Sequence, residues 1–338
     1  MTGIDFLPER LETFLSERFG KNGTFELERI SGGQSNPTYF VTWGGERLVL
    51  RKQPNGEILK GAHAIDREYR VMKALHPTGV PVPRPVLIHE DPDVLGTPFY
   101  LMERVEGRVF SDCALAEVPE QERKPLWMGL ADAMAKMHRV RPEEVGLGDF
   151  GRPGNYFERQ IKRWSGQWQS SPTGDIPELD ALVEWLPANL PEDNGAVSLA
   201  HGDFRLGNVL FHPSEPRVVA ILDWELSTLG HPLADLGFCV MPWHTSPDEY
   251  GGIKGLDIDG LGLPSEEEFV ARYQAANPQA GALLPFHKAF ALFRFAVIFV
   301  GITDRARSGN AAGQDAAALA PLARRFAVRG LEIALGTT

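Results

Sequence analysis

Cysteine is nearly missing from this 338-residue chain: Cys113 and Cys239 lie far apart and fit no C-x-x-C spacing. That excludes a disulfide-stapled scaffold and a structural zinc site. Basic residues are also short, with 34 Lys and Arg against 45 Asp and Glu and a formal charge of −11. No run of Lys and Arg offsets this, so broad adhesion to nucleic acid or to anionic membranes is not expected. Clean apolar runs are lacking as well. The most apolar late stretch, Phe286 to Ile302, is interrupted by Lys288 and Arg294. It falls short of the roughly 20 apolar residues that span a bilayer, so a buried core helix is expected. The N-terminus mixes Asp5, Glu9, Arg10, Glu12 and Arg18 into its apolar pattern, unlike the basic start and unbroken apolar centre of a secretory signal. A cytoplasmic protein is the expectation.

What is present is the composition of a globular protein, 43% hydrophobic and 23% charged, with enough length for about two domains or one large fold of two lobes. Leu7, Leu11, Phe14, Leu15 and Phe19 recur at helical spacing. From Phe25 to Lys52 the residues turn β-branched and aromatic, and Tyr39 to Trp43 and Glu46 to Lys52 flank Gly44-Gly45 as a hairpin would. Helix period returns from Asp66 to Leu75, and Val86 to His89 and Phe99 to Val105 read as two more strands after a proline-rich link. Beyond Pro119 helices dominate, apart from a short hairpin between Asn208 and Trp224. Phe269 to Ala276, Phe286 to Ile302 and Ala316 to Leu335 read as the closing helices.

The richest chemistry lies in His201-Gly-Asp-Phe-Arg-Leu-Gly-Asn208, followed by Ile221-Leu-Asp-Trp-Glu225. Two carboxylates and an amide, Asp203, Asn208 and Asp223, converge on a loop and a strand end. Such hard oxygen ligands suit Mg²⁺, which favours one or two carboxylates plus substrate phosphates. A lone Asp or Asn in a turn more often caps its own backbone; the ordered set is what gives these residues meaning. Upstream, Ser31-Gly-Gly-Gln-Ser-Asn-Pro-Thr-Tyr39 joins two strands, where glycines let backbone N–H groups approach a phosphate, or simply make a turn. Lys52 at a strand end and Glu68 on the next helix form the ion pair that aims an ammonium at nucleotide phosphates, unless each is a solvated charge.

From about Leu27 to Leu335 the chain resembles the aminoglycoside phosphotransferase and choline kinase-like family, most specifically in His201-Gly-Asp to Asn208 and in Asp223-Trp-Glu225. Within it the likeness is to the branch related to the kinase-like domain of multidomain acyl-CoA dehydrogenases. The resemblance implies an α+β, protein-kinase-like bilobal fold, with a nucleotide-binding lobe over residues 1–105 and a helical lobe over 106–338. It implies an ATP-dependent kinase with Mg²⁺, Asp203 as base, Asn208 and Asp223 as metal ligands, Lys52 on the phosphates and Glu68 as its partner. Gly32, Gly33, Ser35 and Asn36 would form the phosphate loop, and Glu103 and Val105 would lie in the adenine-reading hinge. His201 is expected to brace its loop.

The acceptor is less legible. Tyr156, Arg159, Arg163 and Trp164 share or border one helical face, and with Arg205, Glu225 and Trp243 they are the substrate-site candidates. A mix of cations and aromatics suits an anionic or neutral acceptor with an apolar body, such as a hydroxylated acyl compound; core packing of the same residues is the equal alternative. His-Gly-Asp where protein kinases carry His-Arg-Asp, and no Ala-Pro-Glu, disfavour a protein substrate. The full set of base, metal ligands and cation disfavours a silent nucleotide-binding module. A small-molecule acceptor is the expected partner.

Overall fold

The structure, a computed structural model, describes residues 4–20, 23–30, 36–56, 63–152, 154–307 and 316–337. Its first part is an antiparallel sheet of five strands: β1 (Phe25–Arg29), β2 (Thr38–Trp43), β3 (Glu46–Lys52), β4 (Pro85–His89) and β5 (Phe99–Glu103), in the order β1-β2-β3-β5-β4. The β2–β3 hairpin closes through Gly44 and Gly45, both at positive φ, the backbone that a two-residue turn between right-twisted strands demands. Alternation along β3 sorts its side chains into two layers. Leu48 and Leu50 pack with Phe99, Leu101 and the buried Leu11 and Leu15 of helix α1 (Pro8–Phe19). Val49, with Tyr100 and Met102 of β5, packs instead against helix α2 (Ile65–Leu75).

The second part is mainly helical: α3 (Glu120–His138), α4 (Tyr156–Gln169), α5 (Pro177–Ala188), α6 (Leu233–Cys239), α7 (Glu266–Ala276), α8 (Pro285–Arg307) and α9 (Ala316–Leu335). Two small antiparallel pairs lie within it. Strand β6 (Ser198–Ala200) pairs with β9 (Thr228–Gly230), and β7 (Val209–Phe211) pairs with β8 (Val218–Ile221). The second pair is the expected hairpin; the first joins residues about thirty positions apart and carries no local signal, being three residues per strand. Helix α8 has the length and apolar content of a membrane span, and 78% of that window is buried inside the protein, against α4, α5, α6 and α9.

Two buried histidines mark the base of this helical packing. The rings of His231 and His287 stack 6.1 Å apart, and Phe157 lies 5.2 Å from each. Nδ1 of His231 accepts from the Leu233 N–H and Nδ1 of His287 from the Leu284 N–H, so each ring carries its proton on Nε2. Burial holds both imidazoles neutral, with pKa values lowered to about 4. A folded pKa below the unfolded value of about 6.5 means that the unfolded chain takes up these protons first as pH falls. The contribution of these two histidines to stability should therefore be full above pH 6.5 and decline toward pH 4, by at most about 1.4 kcal/mol per pH unit per histidine. Urea denaturation across that range should show the acid limb, and His287→Gln should make it shallower.

Candidate active site

The loop after β6 is held by charges buried beneath it. Asp235 of α6 accepts hydrogen bonds from the backbone N–H groups of His201 (2.6 Å) and Gly202 (2.8 Å), and its carboxylate also meets Nε2 of His138 at 3.1 Å. Burial alone would raise the Asp235 pKa, but the His138 contact and these donors outweigh it and hold the carboxyl ionised. Arg294 of α8 donates to the Gly202 carbonyl at 2.6 Å while its guanidinium lies near the Trp164 and Phe238 rings. Gly202 sits at φ +84, and a Cβ there would meet the Leu226 carbonyl oxygen at 2.8 Å, so only glycine serves. His201 uses both ring nitrogens: Nδ1 accepts from the Asp203 N–H and Nε2 reaches the Leu222 carbonyl at 2.8 Å.

This scaffold presents Asp203 and Asn208 to one another. Nδ2 of Asn208 donates to the Asp203 carbonyl at 2.8 Å and to its carboxylate at 2.6 Å, which leaves Oδ1 of Asn208 unused by that pair. Nε of Arg205 approaches the same carboxylate at 3.4 Å. Burial works to lower the Arg205 pKa, and the Asp203 carboxylate more than offsets it, so the guanidinium stays charged. Asp223 follows β8 in the left-handed region at φ 62, a conformation that costs a non-glycine residue energy and is kept where neighbours fix it. Among the described residues, Glu68, Asp223 and Glu225 bring one carboxylate oxygen each to within 4.8 Å of one another.

The cation among these carboxylates is Arg51, not Lys52. Nε of Arg51 pairs with Glu68 at 3.1 Å, and Nη2 reaches Asp223 at 3.0 Å and Glu225 at 4.0 Å. The expected Lys52–Glu68 pair is absent. Lys52 is fully buried on the other face of β3, where its ammonium meets Asp5 at 2.8 Å and Oδ1 of Asn55 at 3.1 Å, while the Tyr39 hydroxyl donates to the same Asp5 at 2.6 Å. The reason is the two-residue period of a strand: a shift of one position moves a side chain to the opposite layer. Glu68 is buried between Arg51, Nδ2 of Asn36 (2.9 Å) and the Tyr100 hydroxyl (3.0 Å). Burial pushes its pKa up to about 7, Arg51 opposes this, and Asp223 adds to it.

Arg51, Asn208 and Asp223 line one cleft of about 540 Å³ between the sheet and the helical part, together with Asn36, Glu103 and Val105. Gly32, Gly33 and Ser35 lie outside the described residues. Asn36 is turned to other work, its amide donating to Glu68 and its Oδ1 meeting His63 at 3.1 Å. A second cavity, of about 370 Å³, opens beside Arg205 and is walled by Cys113, Trp127, Phe238, Tyr250 and Phe295.

The other acceptor candidates are not there. Tyr156 and Arg159 line a separate cavity of about 590 Å³ with His231 and His287. Trp164 is buried with Arg163 stacked 5.0 Å from its ring. Trp243 is core, donating to the Pro264 carbonyl and packing on Trp127 and Phe269. Aromatic residues at helical spacing went to the interior because burial of their large apolar area outweighs any pull toward a cleft.

A family model described as the phosphotransferase enzyme family matches residues 26–284. The chain belongs to this family. Acyl-CoA dehydrogenase family member 11 of Gallus gallus is 40% identical over 316 residues, spanning 92% of this chain and 40% of its own length. Family member 10 of Mus musculus is 38% identical over 315 residues, 91% of this chain and 29% of its own. The chain thus spans less than half of these relatives. A Ralstonia eutropha crystal structure described as a candidate aminoglycoside phosphotransferase is 42% identical, with a TM-score of 0.89 over 98% of this chain and 99% of that one. Aminoglycoside phosphotransferase APH(4)-Ia, solved with AMP-PNP and hygromycin B, shares the fold at 17% identity and TM-score 0.62, covering 96% of this chain and 99% of that one. The fold of this phosphotransferase-family chain is therefore the expected α+β, protein-kinase-like one.

Strand parity, counted from the hairpin, puts Arg51 and Lys52 in opposite layers, and because both layers are buried the packing of α2 decides which of them meets the cleft. For Asp235 the signal is one acid inside the otherwise apolar Leu233–Cys239 helix. Replacing it removes a charge on which two backbone donors and a histidine depend. Asp235→Asn is expected to cost about 3 kcal/mol or more in urea denaturation.

Proposed function

We propose that this chain is a small-molecule kinase that moves the γ-phosphoryl group of ATP to a hydroxyl of a hydroxylated acyl compound. The observation that carries this reading is one cleft lined by Arg51, Asn208 and Asp223, where Asn208 is hydrogen-bonded to Asp203 and Arg51 is paired with Glu68 and Asp223. In the transfer, the acceptor oxygen bonds to the γ-phosphorus as the bond from that phosphorus to the β,γ-bridging oxygen breaks, and ADP leaves. Asp203 orients the hydroxyl and takes its proton. Arg51, rather than Lys52, supplies fixed positive charge toward the phosphates. Oδ1 of Asn208 and the carboxylate of Asp223, with Glu225 beside it, are hard oxygen donors that fit Mg²⁺ and would hold it. Mg²⁺ bound there contributes charge neutralisation at the phosphates. Glu103 and Val105, which line the same cleft at the end of β5, would take the adenine end of the nucleotide.

For the acceptor, the cavity next to Arg205 supports an apolar body. Its walls are largely aromatic and apolar, and among the described residues its one carboxylate, Glu249, is already paired with Arg329 at 3.0 Å. A polycationic antibiotic would need free carboxylates there; an acyl chain needs apolar wall, and Arg205, whose Nε lies 3.4 Å from the Asp203 carboxylate, stands at the edge of that wall.

Transfer of labelled phosphate from Mg·ATP into a pool of hydroxylated acyl compounds tests the reading: a labelled small molecule is expected, and label on protein or no transfer would sink it. Asp203→Asn should lower kcat by about 10² to 10⁴-fold with nucleotide affinity retained. Arg51→Met should weaken Mg·ATP binding at least about tenfold in calorimetric titration. Lys52→Met should lower the melting temperature instead and leave that affinity within about twofold of wild type, because its charge serves Asp5 on the far face.

A further inference from the structure

Helix α2 carries Glu68, and the residue before it ties the helix to the other half of the molecule. Nη2 of Arg67 donates to the Phe150 carbonyl at 3.1 Å and to the Ser227 carbonyl at 3.3 Å. Its guanidinium lies 3.9 Å from the centroid of the Phe150 ring, a cation–π distance. Ser227 is itself buried and fixed, its hydroxyl donating to the Trp224 carbonyl at 2.6 Å, in the turn that opens with Asp223. One guanidinium therefore joins the helix bearing Glu68 to the segment bearing Asp223, while Arg51 joins the side chains of the same two residues.

Resting on the kinase reading above, we infer that Arg67 is a positioning residue for the nucleotide site: it holds α2 docked, so that Glu68 keeps Arg51 turned toward the phosphates without any activation step. The chemistry favours arginine. Both carbonyls accept from Nη2, which lies one bond beyond the reach of a lysine ammonium, while the planar guanidinium rests on the Phe150 ring. Without Arg67 the helix loses its polar tie to the Asp223 turn, and Glu68, already strained by burial beside Asp223, loses its fixed place. Arg51 then spends part of its time away from the phosphates, which weakens nucleotide binding more than it slows the bound complex.

The test is steady-state kinetics with Mg·ATP and calorimetric Mg·ATP binding, on Arg67→Met, Glu68→Gln and the double variant, all below their unfolding temperatures. Arg67→Met is expected to raise the KM for ATP about tenfold, with kcat and the acceptor KM changed less than about threefold. Arg67→Lys keeps the cation over Phe150 but ends one bond short of the Nη2 position, so it should show a smaller shift of the same kind; it also serves if the methionine variant does not fold. Because Arg67 acts through Glu68, adding Arg67→Met to Glu68→Gln should cost little more. Unchanged ATP KM and affinity in both Arg67 variants, or fully additive losses in the double variant, would overturn the inference while leaving the kinase reading intact. Absence of Mg·ATP binding by the wild-type chain would instead remove the kinase reading and this inference with it.

Discussion

Three carboxylates, Glu68, Asp223 and Glu225, crowd together where the sheet meets the helical part, and Arg51 is the cation that makes the cluster tolerable. Like charges at that spacing repel, and the cost grows where water is excluded. Arg51 meets this with the right shape: its planar fork pairs with Glu68 through one nitrogen and Asp223 through another. The consecutive elements β3 and α2 and the end of β8, 172 positions beyond Arg51, are thereby drawn to one point. Glu68 is anchored by Asn36 and Tyr100 as well, so the network reaches across the sheet to the neighbouring β5 strand.

The opposite wall of the cleft follows a related rule: charges buried in apolar helices persist where they satisfy backbone that nothing else can reach. Asp235 in α6 and Arg294 in α8 bind the N–H and C=O groups of the His201–Gly202 turn, whose geometry precludes regular hydrogen bonding. That explains why α8, a mostly buried helix with the length and apolar content of a membrane span, carries an arginine in its middle. Unpaired, either charge would be expensive to bury; paired, they fix the loop on which Asp203 and Asn208 face each other.

Much of the architecture can be read from residue patterns. The hairpin around Gly44-Gly45, the helix before Phe19, the Asn208–Trp224 hairpin and the closing helices stand close to where periodicity puts them, because period and turn chemistry are local properties. The β6–β9 pairing is not legible, since three-residue strands have almost no periodic signal. The meeting of Asp203 with Asn208 follows from a short loop with glycines at two points. The identity of the cleft cation does not: Arg51 and Lys52 are adjacent and both basic, and one residue of register decides which layer each enters. Trp164 and Trp243 show the same limit, since an aromatic stripe looks alike whether it lines a pocket or fills a core.

By itself, then, the sequence determined the α+β order of elements, the acidic balance and the set of oxygen-bearing residues near positions 203 to 225, all of which depend on composition and short spacing. Only the tertiary structure decided that Arg51 joins Glu68 to Asp223, that Lys52 serves Asp5, that Asp235 and Arg294 hold the loop, and that the cavity beside Arg205 is aromatic. Those are contacts between residues tens to hundreds of positions apart. Their energies arise from burial and charge pairing that exist only once the layers have packed.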